Sequence, residues 1–136
     1  MSDTTPETIL DESHPGEGRA SAHLRELSHS AEEALSKLVP LDLGHDADLS
    51  ICEELGRGGM GRVVLVQQRS LRRDVAMKVL PDGNSTVAAT RALLNEAVAL
   101  GQIEHPNVVP VHQLGLDERG LPALVMKRIS GVAWDV

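Results

Sequence analysis

The sequence predicts an α+β fold, in which a five-stranded antiparallel sheet with one main helix is preceded by a disordered acidic arm and a short helix. Five short apolar runs are separated by glycine, proline and aspartate turns, which is typical of strands. Residues 86–101 instead place leucine and alanine at helical spacing. Acidic residues are concentrated in residues 1–50, whose net charge is −8, whereas residues 51–136 carry +1.

The first region, residues 1–20, is predicted to be the disordered acidic arm. Proline, serine, threonine, glycine and acidic residues cluster there. A polar segment with net charge buries too little apolar surface to offset the entropy of folding.

The second region, residues 21–48, is predicted to contain a short amphipathic helix and a linker. Ser30 and Glu33 have the spacing of a capping box, which predicts that the helix begins at Ala31. The segment 21–39 is either a docking or dimerisation helix with a protein partner, or a marginal helix with no dedicated partner. Its apolar face consists of Leu24, Leu27, Ala31, Leu35 and Leu38.

The third region, residues 49–136, is predicted to form the sheet and the main helix. Pro110 falls inside the fourth predicted strand and has no N–H to donate, so that strand is expected at a sheet edge. The predicted strands are 51–55, 63–66, 72–80, 108–114 and 121–129, and the predicted helix is 86–101.

A glycine-rich segment, G-R-G-G-M-G at residues 56–61, lies between the first two predicted strands. A dinucleotide-binding fold would begin a helix here, but Val63 and the residues after it are typical of a strand. A Walker A loop would end in Gly-Lys-Ser or Gly-Lys-Thr, whereas Arg62 and Val63 follow here. Two interpretations remain: a hairpin whose backbone folds closely over a triphosphate, or a flexible hairpin turn.

One lysine, Lys78, lies within the otherwise apolar third strand. Because burying an unpaired ammonium is costly, it needs a partner or the rim of a pocket. Glu96, on the predicted helix, is the natural partner. The alternative is an exposed lysine at a strand edge.

The order of these elements resembles the N-terminal lobe of a bacterial-type serine/threonine protein kinase. It comprises the glycine motif, V-A-M-K at 75–78, Glu96 on a helix, and the apolar run 124–126. The resemblance implies the kinase small-lobe fold over 49–136. It also implies ATP as the cofactor, a protein substrate, and phosphoryl transfer to serine or threonine in the full-length form. As catalytic residues, Lys78 would hold the α- and β-phosphates and Glu96 would orient that lysine.

The resemblance further implies where adenine would bind. Val63 and Ala76 match the positions above the ring, and Met126 matches the gatekeeper. The hinge would bind adenine through the carbonyl of Lys127 and the N–H of Ile129. The implied nucleotide-binding residues are Leu55, Gly56, Arg57, Gly58, Gly59, Met60, Gly61, Val63, Ala76, Lys78, Met126, Lys127 and Ile129.

Four other positions bear on this resemblance. Leu100 and Val111 match the small-lobe share of the hydrophobic spine, and they are equally ordinary core residues. Met60 stands at the loop tip, where an aromatic residue is common in the family. Lys127 replaces the acidic residue often found after the gatekeeper.

The family takes its catalytic aspartate from an H-R-D loop and a magnesium-binding aspartate from D-F-G, and neither motif occurs in this sequence. We therefore expect Mg²⁺ only together with the large lobe, and we expect this fragment alone to be inactive. Two alternatives remain. The chain is a non-catalytic nucleotide-binding or kinase-docking module, or the arm and its helix form an interaction module.

Composition limits the remaining possibilities. The single cysteine, Cys52, excludes an internal disulfide and fits a cytoplasmic location. No signal-peptide pattern opens the chain, and no apolar stretch approaches the roughly 20 residues of a membrane helix. His105 and His112 have no accompanying ligand cluster, so no metal site is predicted, and His105 is assigned to the turn after the helix. We expect no nucleic-acid partner.

Overall fold

The computed structural model describes residues 29–59, 61–82 and 86–130. In these ranges five strands form one antiparallel sheet in the order β1-β2-β3-β5-β4, which confirms the predicted architecture and places β4 at an edge. The predicted acidic arm, Leu24, Leu27 and Met60 lie outside the described residues. The elements are α1 His29–Ser36, β1 Leu49–Gly58, β2 Gly61–Gln68, β3 Arg73–Val79, α2 Val87–Gly101, β4 Val111–Leu116 and β5 Pro122–Lys127.

Several predicted boundaries were wrong. Strand β4 begins at Val111 rather than at residue 108. Pro110 lies just before it and contributes only its carbonyl oxygen, which accepts a hydrogen bond from the N–H of Lys127 (3.0 Å). Strand β5 ends at Lys127, so Ile129 follows the strand rather than belonging to it. Helix α1 already includes His29, so Ser30 is not the N-cap. Helix α1 is held instead by tertiary packing, through the contact of Ala31 with Leu94 of α2.

The two faces of the sheet carry separate apolar clusters because side chains alternate along each strand. The inner cluster packs α2 against β2, β3 and β5. The outer cluster lies on the opposite face and is covered by residues from the segment before β1. The inner cluster contains Val63, Ala76, Leu80, Ala89, Leu93, Ala97, Leu124 and Met126. The outer cluster contains Leu41, Leu49, Val64, Val66, Val75, Met77, Val79, Ala123 and Val125.

Helix α2 begins at a side-chain cap. The hydroxyl oxygen of Thr86 accepts a hydrogen bond from the N–H of Ala89 (3.0 Å), satisfying one of the free donors at the helix start. The helix ends at Gly101, before the predicted break at residues 105–107. Its start is therefore fixed locally, while its sheet-facing residues fix its position over β3.

The chain before β1 passes from one face of the sheet to the other around the β4 edge. Helix α1 packs on α2, and the following residues run beside β4: the N–H of Leu41 donates to the oxygen of Leu116 (2.8 Å), and the N–H of Leu116 donates to the oxygen of Val39 (2.9 Å). Leu41 then enters the outer cluster. We call residues 29–48 the N-terminal strap.

Candidate active site

The glycine-rich segment forms the tip of the β1–β2 hairpin, as predicted. Gly58 pairs with Gly61 across the turn. Gly61 has φ +133°, and a Cβ there would overlap the carbonyl oxygen of Val79, so a side chain fits neither its backbone conformation nor the space. Gly59, by contrast, faces open space. Since a strand follows the glycines, the structure excludes both the dinucleotide-binding and the Walker A interpretations.

A single cross-strand row connects this hairpin to the lysine. Gly56 pairs with Val63, Val63 with Lys78, and Lys78 with Leu124. Directly opposite residues project from the same face of a sheet, so Val63 and Lys78 both face α2. The register therefore places Lys78 on the face of the sheet that α2 covers, in the same cross-strand row as Gly56 and Val63.

The predicted partnership between Lys78 and Glu96 is present. The Nζ of Lys78 donates to the Oε2 of Glu96 at 2.8 Å, and the two side chains are 19% and 40% exposed. An ammonium has three N–H donors, so an anionic group beside β3 can accept those that Glu96 does not use. The ion pair is therefore partly exposed to solvent, and the ammonium of Lys78 has donors left for a bound anion.

Two of the residues predicted to surround adenine, Ala76 and Met126, lie in the row next to that of Val63 and Lys78. Ala76 pairs with Met126, and Met126 pairs with Val111. Val63, Ala76 and Met126 are only 2%, 0% and 4% exposed, because they pack in the inner cluster, with Leu55 against its edge. In this structure these apolar positions are therefore closed, and an aromatic ring could reach them only if neighbouring side chains moved.

The predicted hinge leaves the end of β5. Lys127 is exposed and pairs with Val75, and its N–H is already bonded to Pro110, as described above. Ile129 is half-buried. Lys127 is thus the last residue of β5, and Ile129 lies two residues beyond its end. Leu100 and Val111, the predicted spine residues, pack against the inner cluster.

A chain of charged side chains at the base of the hairpin was missed by sequence reasoning. Arg57 donates to Glu54 (2.9 Å), and this hydrogen bond raises the pKa of Arg57 above its usual range. Arg62 lies 3.8 Å from Glu54 and 3.8 Å from Asp82. The guanidinium of Arg57 is therefore bound to Glu54 of its own strand, β1. No sequence periodicity indicates these contacts, because they connect β1, β2 and the segment after β3.

This series of charged side chains continues into the β4–β5 turn, where Arg119 lies 3.5 Å from Asp82. Asp117 accepts hydrogen bonds from the N–H groups of Arg119 (2.9 Å) and Leu121 (3.1 Å) and from the guanidinium of Arg119 (2.7 Å). The same guanidinium donates to the carbonyl oxygens of Leu80 and Pro81, each at 3.0 Å. The turn was predicted only as a polar connection. Its anchoring of the end of β3, next to Lys78, was not predicted.

Other predictions concern metals and membranes. The Nδ1 of His105 accepts a hydrogen bond from the N–H of Asn107 (3.1 Å), which confirms that His105 belongs to the turn after α2. Within residues 29–59, 61–82 and 86–130, no group of three or more histidine, cysteine or acidic residues could hold a metal ion. Neither α1 nor α2 is long and apolar enough to cross a membrane, and no other helix lies in those ranges.

Two surface depressions lie away from the Lys78–Glu96 pair. One, at the β2–β3 turn, is lined by Gln67, Asp74 and three arginines, Arg69, Arg72 and Arg73. The other lies on the outer face beside Arg119. The first is relevant to experiments, because three arginines can attract a polyphosphate without specific recognition.

The fold and the ion pair together have the arrangement of a protein-kinase small lobe: a glycine-rich hairpin is followed by a strand whose lysine is paired with a helical glutamate. The family model described as protein tyrosine and serine/threonine kinase matches residues 49–133. The chain belongs to this family, whose members use ATP and Mg²⁺.

Relatives agree with this family assignment. The chain is 37% identical to the serine/threonine-protein kinase PknK of Mycobacterium tuberculosis over 99 residues, which cover 72% of this chain and 9% of that protein. It is 40% identical to the serine/threonine-protein kinase pkn2 of Myxococcus xanthus over 96 residues, 69% of this chain and 11% of that protein. The chain thus spans about a tenth of the length of these relatives.

Among solved structures, the apo form of PpkA-294 has a similar fold. The TM-score is 0.55 at 22% sequence identity, and the match covers 62% of this chain and 37% of that one. At this identity the likeness concerns the fold alone, and it supports the kinase small-lobe architecture.

Proposed function

We propose that this lobe grips ATP for a serine/threonine protein kinase, with Lys78 and Glu96 as its catalytic pair. The observation that supports the proposal most directly is the 2.8 Å contact between the two side chains, in the cross-strand row that contains Gly56 and Val63. Lys78 would donate to the α- and β-phosphates, and Glu96 would hold its ammonium in place. Serine/threonine specificity is supported by the relatives PknK and pkn2, which are serine/threonine-protein kinases.

The residues present fit a triphosphate. Gly59 faces open space at the hairpin tip, where backbone N–H groups could approach phosphate oxygens, and Lys78 would supply the complementary charge. The apolar pair Val63 and Ala76 suits an adenine face, with hinge contacts from Lys127 and Ile129. Because Val63 and Ala76 are closed off here, we propose that adenine enters only after the inner cluster opens at Leu55.

The chemical step requires groups that these residues do not supply. ATP, when bound, provides the phosphoryl group, and in the family Mg²⁺ is held by aspartate and asparagine from H-R-D and D-F-G segments. Those motifs do not occur in these 136 residues. We propose that a polypeptide of these residues binds ATP weakly and transfers no phosphate, while the same lobe joined to those segments is active.

A titration with ATP, followed by backbone amide chemical shifts, tests the proposal. We expect the largest changes at the hairpin glycines, Lys78 and the hinge, with affinity weaker than low micromolar. Arg72→Ala, in the arginine depression away from the pair, serves as the matched control. Shifts confined to that depression, or lost in Arg72→Ala and retained in Lys78→Met, would contradict the assignment.

A further inference from the structure

The N-terminal strap contacts the helix that carries Glu96. Helix α1 packs on a different face of α2 from the one that meets the sheet, with Ala31 and Leu94 only 1% and 0% exposed. Leu35 and Leu38 pack around this contact. Since Leu94 lies two residues before Glu96, α1 holds α2 close to the ion pair.

A second anchor fixes the strap on the other side of the β4 edge. Leu41 is buried in the outer cluster, and its N–H and the carbonyl oxygen of Val39 form the two hydrogen bonds to Leu116 of β4. Gly115 leaves it room: a Cβ at Gly115 would lie 2.5 Å from the Cδ2 of Leu41 and 2.9 Å from the oxygen of Val39. The strap is therefore attached at both ends, to α2 on one face of the sheet and to the outer cluster on the other.

The ion pair by itself does not hold α2 in place. Glu96 is 40% exposed, and a pair that is this accessible to water contributes little stability. The position of Glu96 relative to Lys78 must therefore come from the packing of α2. That packing has two parts, the sheet-facing inner cluster and the contact of Ala31 with Leu94.

We propose that the strap is a positioning element for the Lys78–Glu96 pair and acts through the contact of Ala31 with Leu94. The inference rests on the proposed function, in which this pair grips ATP, but the distance between Lys78 and Glu96 can be tested without nucleotide. Displacing α1 lets α2 move away from β3, so Lys78 loses its partner while the sheet remains folded.

The test replaces Ala31 by glutamate in the full chain, because a carboxylate cannot remain buried against Leu94. His29→Glu introduces the same charge at an exposed position of the same helix and is the matched control. Acetic anhydride then probes the amine of Lys78, with exposed Lys37 as the internal standard. We expect Lys78 in Ala31→Glu to react about threefold faster or more, since local opening exposes it.

Two further measurements separate positioning from general destabilisation. Amide hydrogen exchange should accelerate in residues 87–101 of Ala31→Glu and remain unchanged in β2 and β3. ATP affinity should fall in Ala31→Glu, and the loss should disappear in a Glu96→Gln background, because the strap has no partner left to position. A purely structural role would give equal losses in both backgrounds.

Each outcome decides the inference. If Lys78 reactivity and α2 exchange are the same in Ala31→Glu and His29→Glu, the inference is wrong. If Ala31→Glu unfolds the sheet as well, the milder Leu35→Ala takes its place under the same criteria. If reactivity and exchange respond but no variant binds ATP, the strap positions the pair and the proposed function fails instead.

Discussion

The guanidinium of Arg119 lies 2.7 Å from the carboxylate of Asp117, whose side chain is only 3% exposed. Through this pair the β4–β5 turn is joined to the carbonyl oxygens of Leu80 and Pro81, at the end of the strand that carries Lys78. A turn far from the glycine hairpin in sequence thereby fixes one end of β3.

We expect Arg119→Ala to destabilise the protein substantially. The change leaves Asp117 buried with only its backbone donors and removes two hydrogen bonds to carbonyl oxygens, at a cost of roughly 2 kcal/mol. Urea unfolding measures the change in free energy, with Glu118→Ala at the exposed neighbouring position as the control. Equal stabilities of the two variants would contradict the anchoring role of Arg119.

Lys78→Met should separate binding from folding. Methionine fills the space of the lysine stem in an apolar strand, so we expect nearly unchanged unfolding, whereas affinity for ATP should fall about tenfold or more without the charge-assisted hydrogen bonds. Isothermal titration calorimetry compares the variant with Lys37→Met, a matched change at an exposed lysine. An unaltered ATP affinity in Lys78→Met would show that the assignment of Lys78 is wrong.

Replacement by alanine should destabilise the protein at Gly61 but not at Gly59. In Gly61→Ala the new Cβ overlaps the carbonyl oxygen of Val79 in a left-handed backbone conformation, so we expect a loss of roughly 2 kcal/mol or more. Gly59→Ala meets open space and should remain near wild-type stability. Thermal melting of both variants tests the hairpin geometry, and similar melting temperatures would refute it.

His112 predicts a pH dependence of stability. Partial desolvation, together with the positive charges of Arg73 and Lys127, lowers the pKa of His112 below its usual 6.5. As the pH falls through about 6.5, the unfolded chain takes up a proton that the folded chain does not, so stability decreases toward the folded pKa and is then constant.

His112→Gln should remove this decline. Unfolding by urea at several pH values between 8 and about 5 measures the decline. Asp48 does not titrate in this range, because hydrogen bonds from Ser70 lower its pKa below the usual 3.8. The same decline in His112→Gln would assign the effect to another group.

Much of the candidate site was predictable because its signals are local. A glycine run followed by β-branched residues indicates a hairpin, and a lone lysine in an apolar strand requires an anion. These signals led to Gly61, Lys78 and Glu96. The start of β4 was misplaced because Pro110 satisfies the strand pattern of its neighbours but cannot donate to the ladder.

The strap and the charge chain were not predictable in this way. The sequence showed an amphipathic helix around Ala31 but left open whether it had a partner, and the structure shows that Leu94 of the same chain is that partner. Likewise, Asp117 and Arg119 appeared only as a polar turn. A side chain's burial and its distant hydrogen bonds depend on which turns the sheet order brings together, and no short-range pattern records that.

Local signals in the sequence are sufficient for the order of strands and helix, the glycine hairpin and the two residues of the ion pair, because each follows from backbone preference or from the cost of burying a charge. The packing of α1 on α2, the crossing of Leu41 to the outer face and the anchoring of β3 by Arg119 become visible only in the folded chain. Those contacts join residues far apart along the chain, and packing and hydrogen bonding select them only when the whole sheet is assembled.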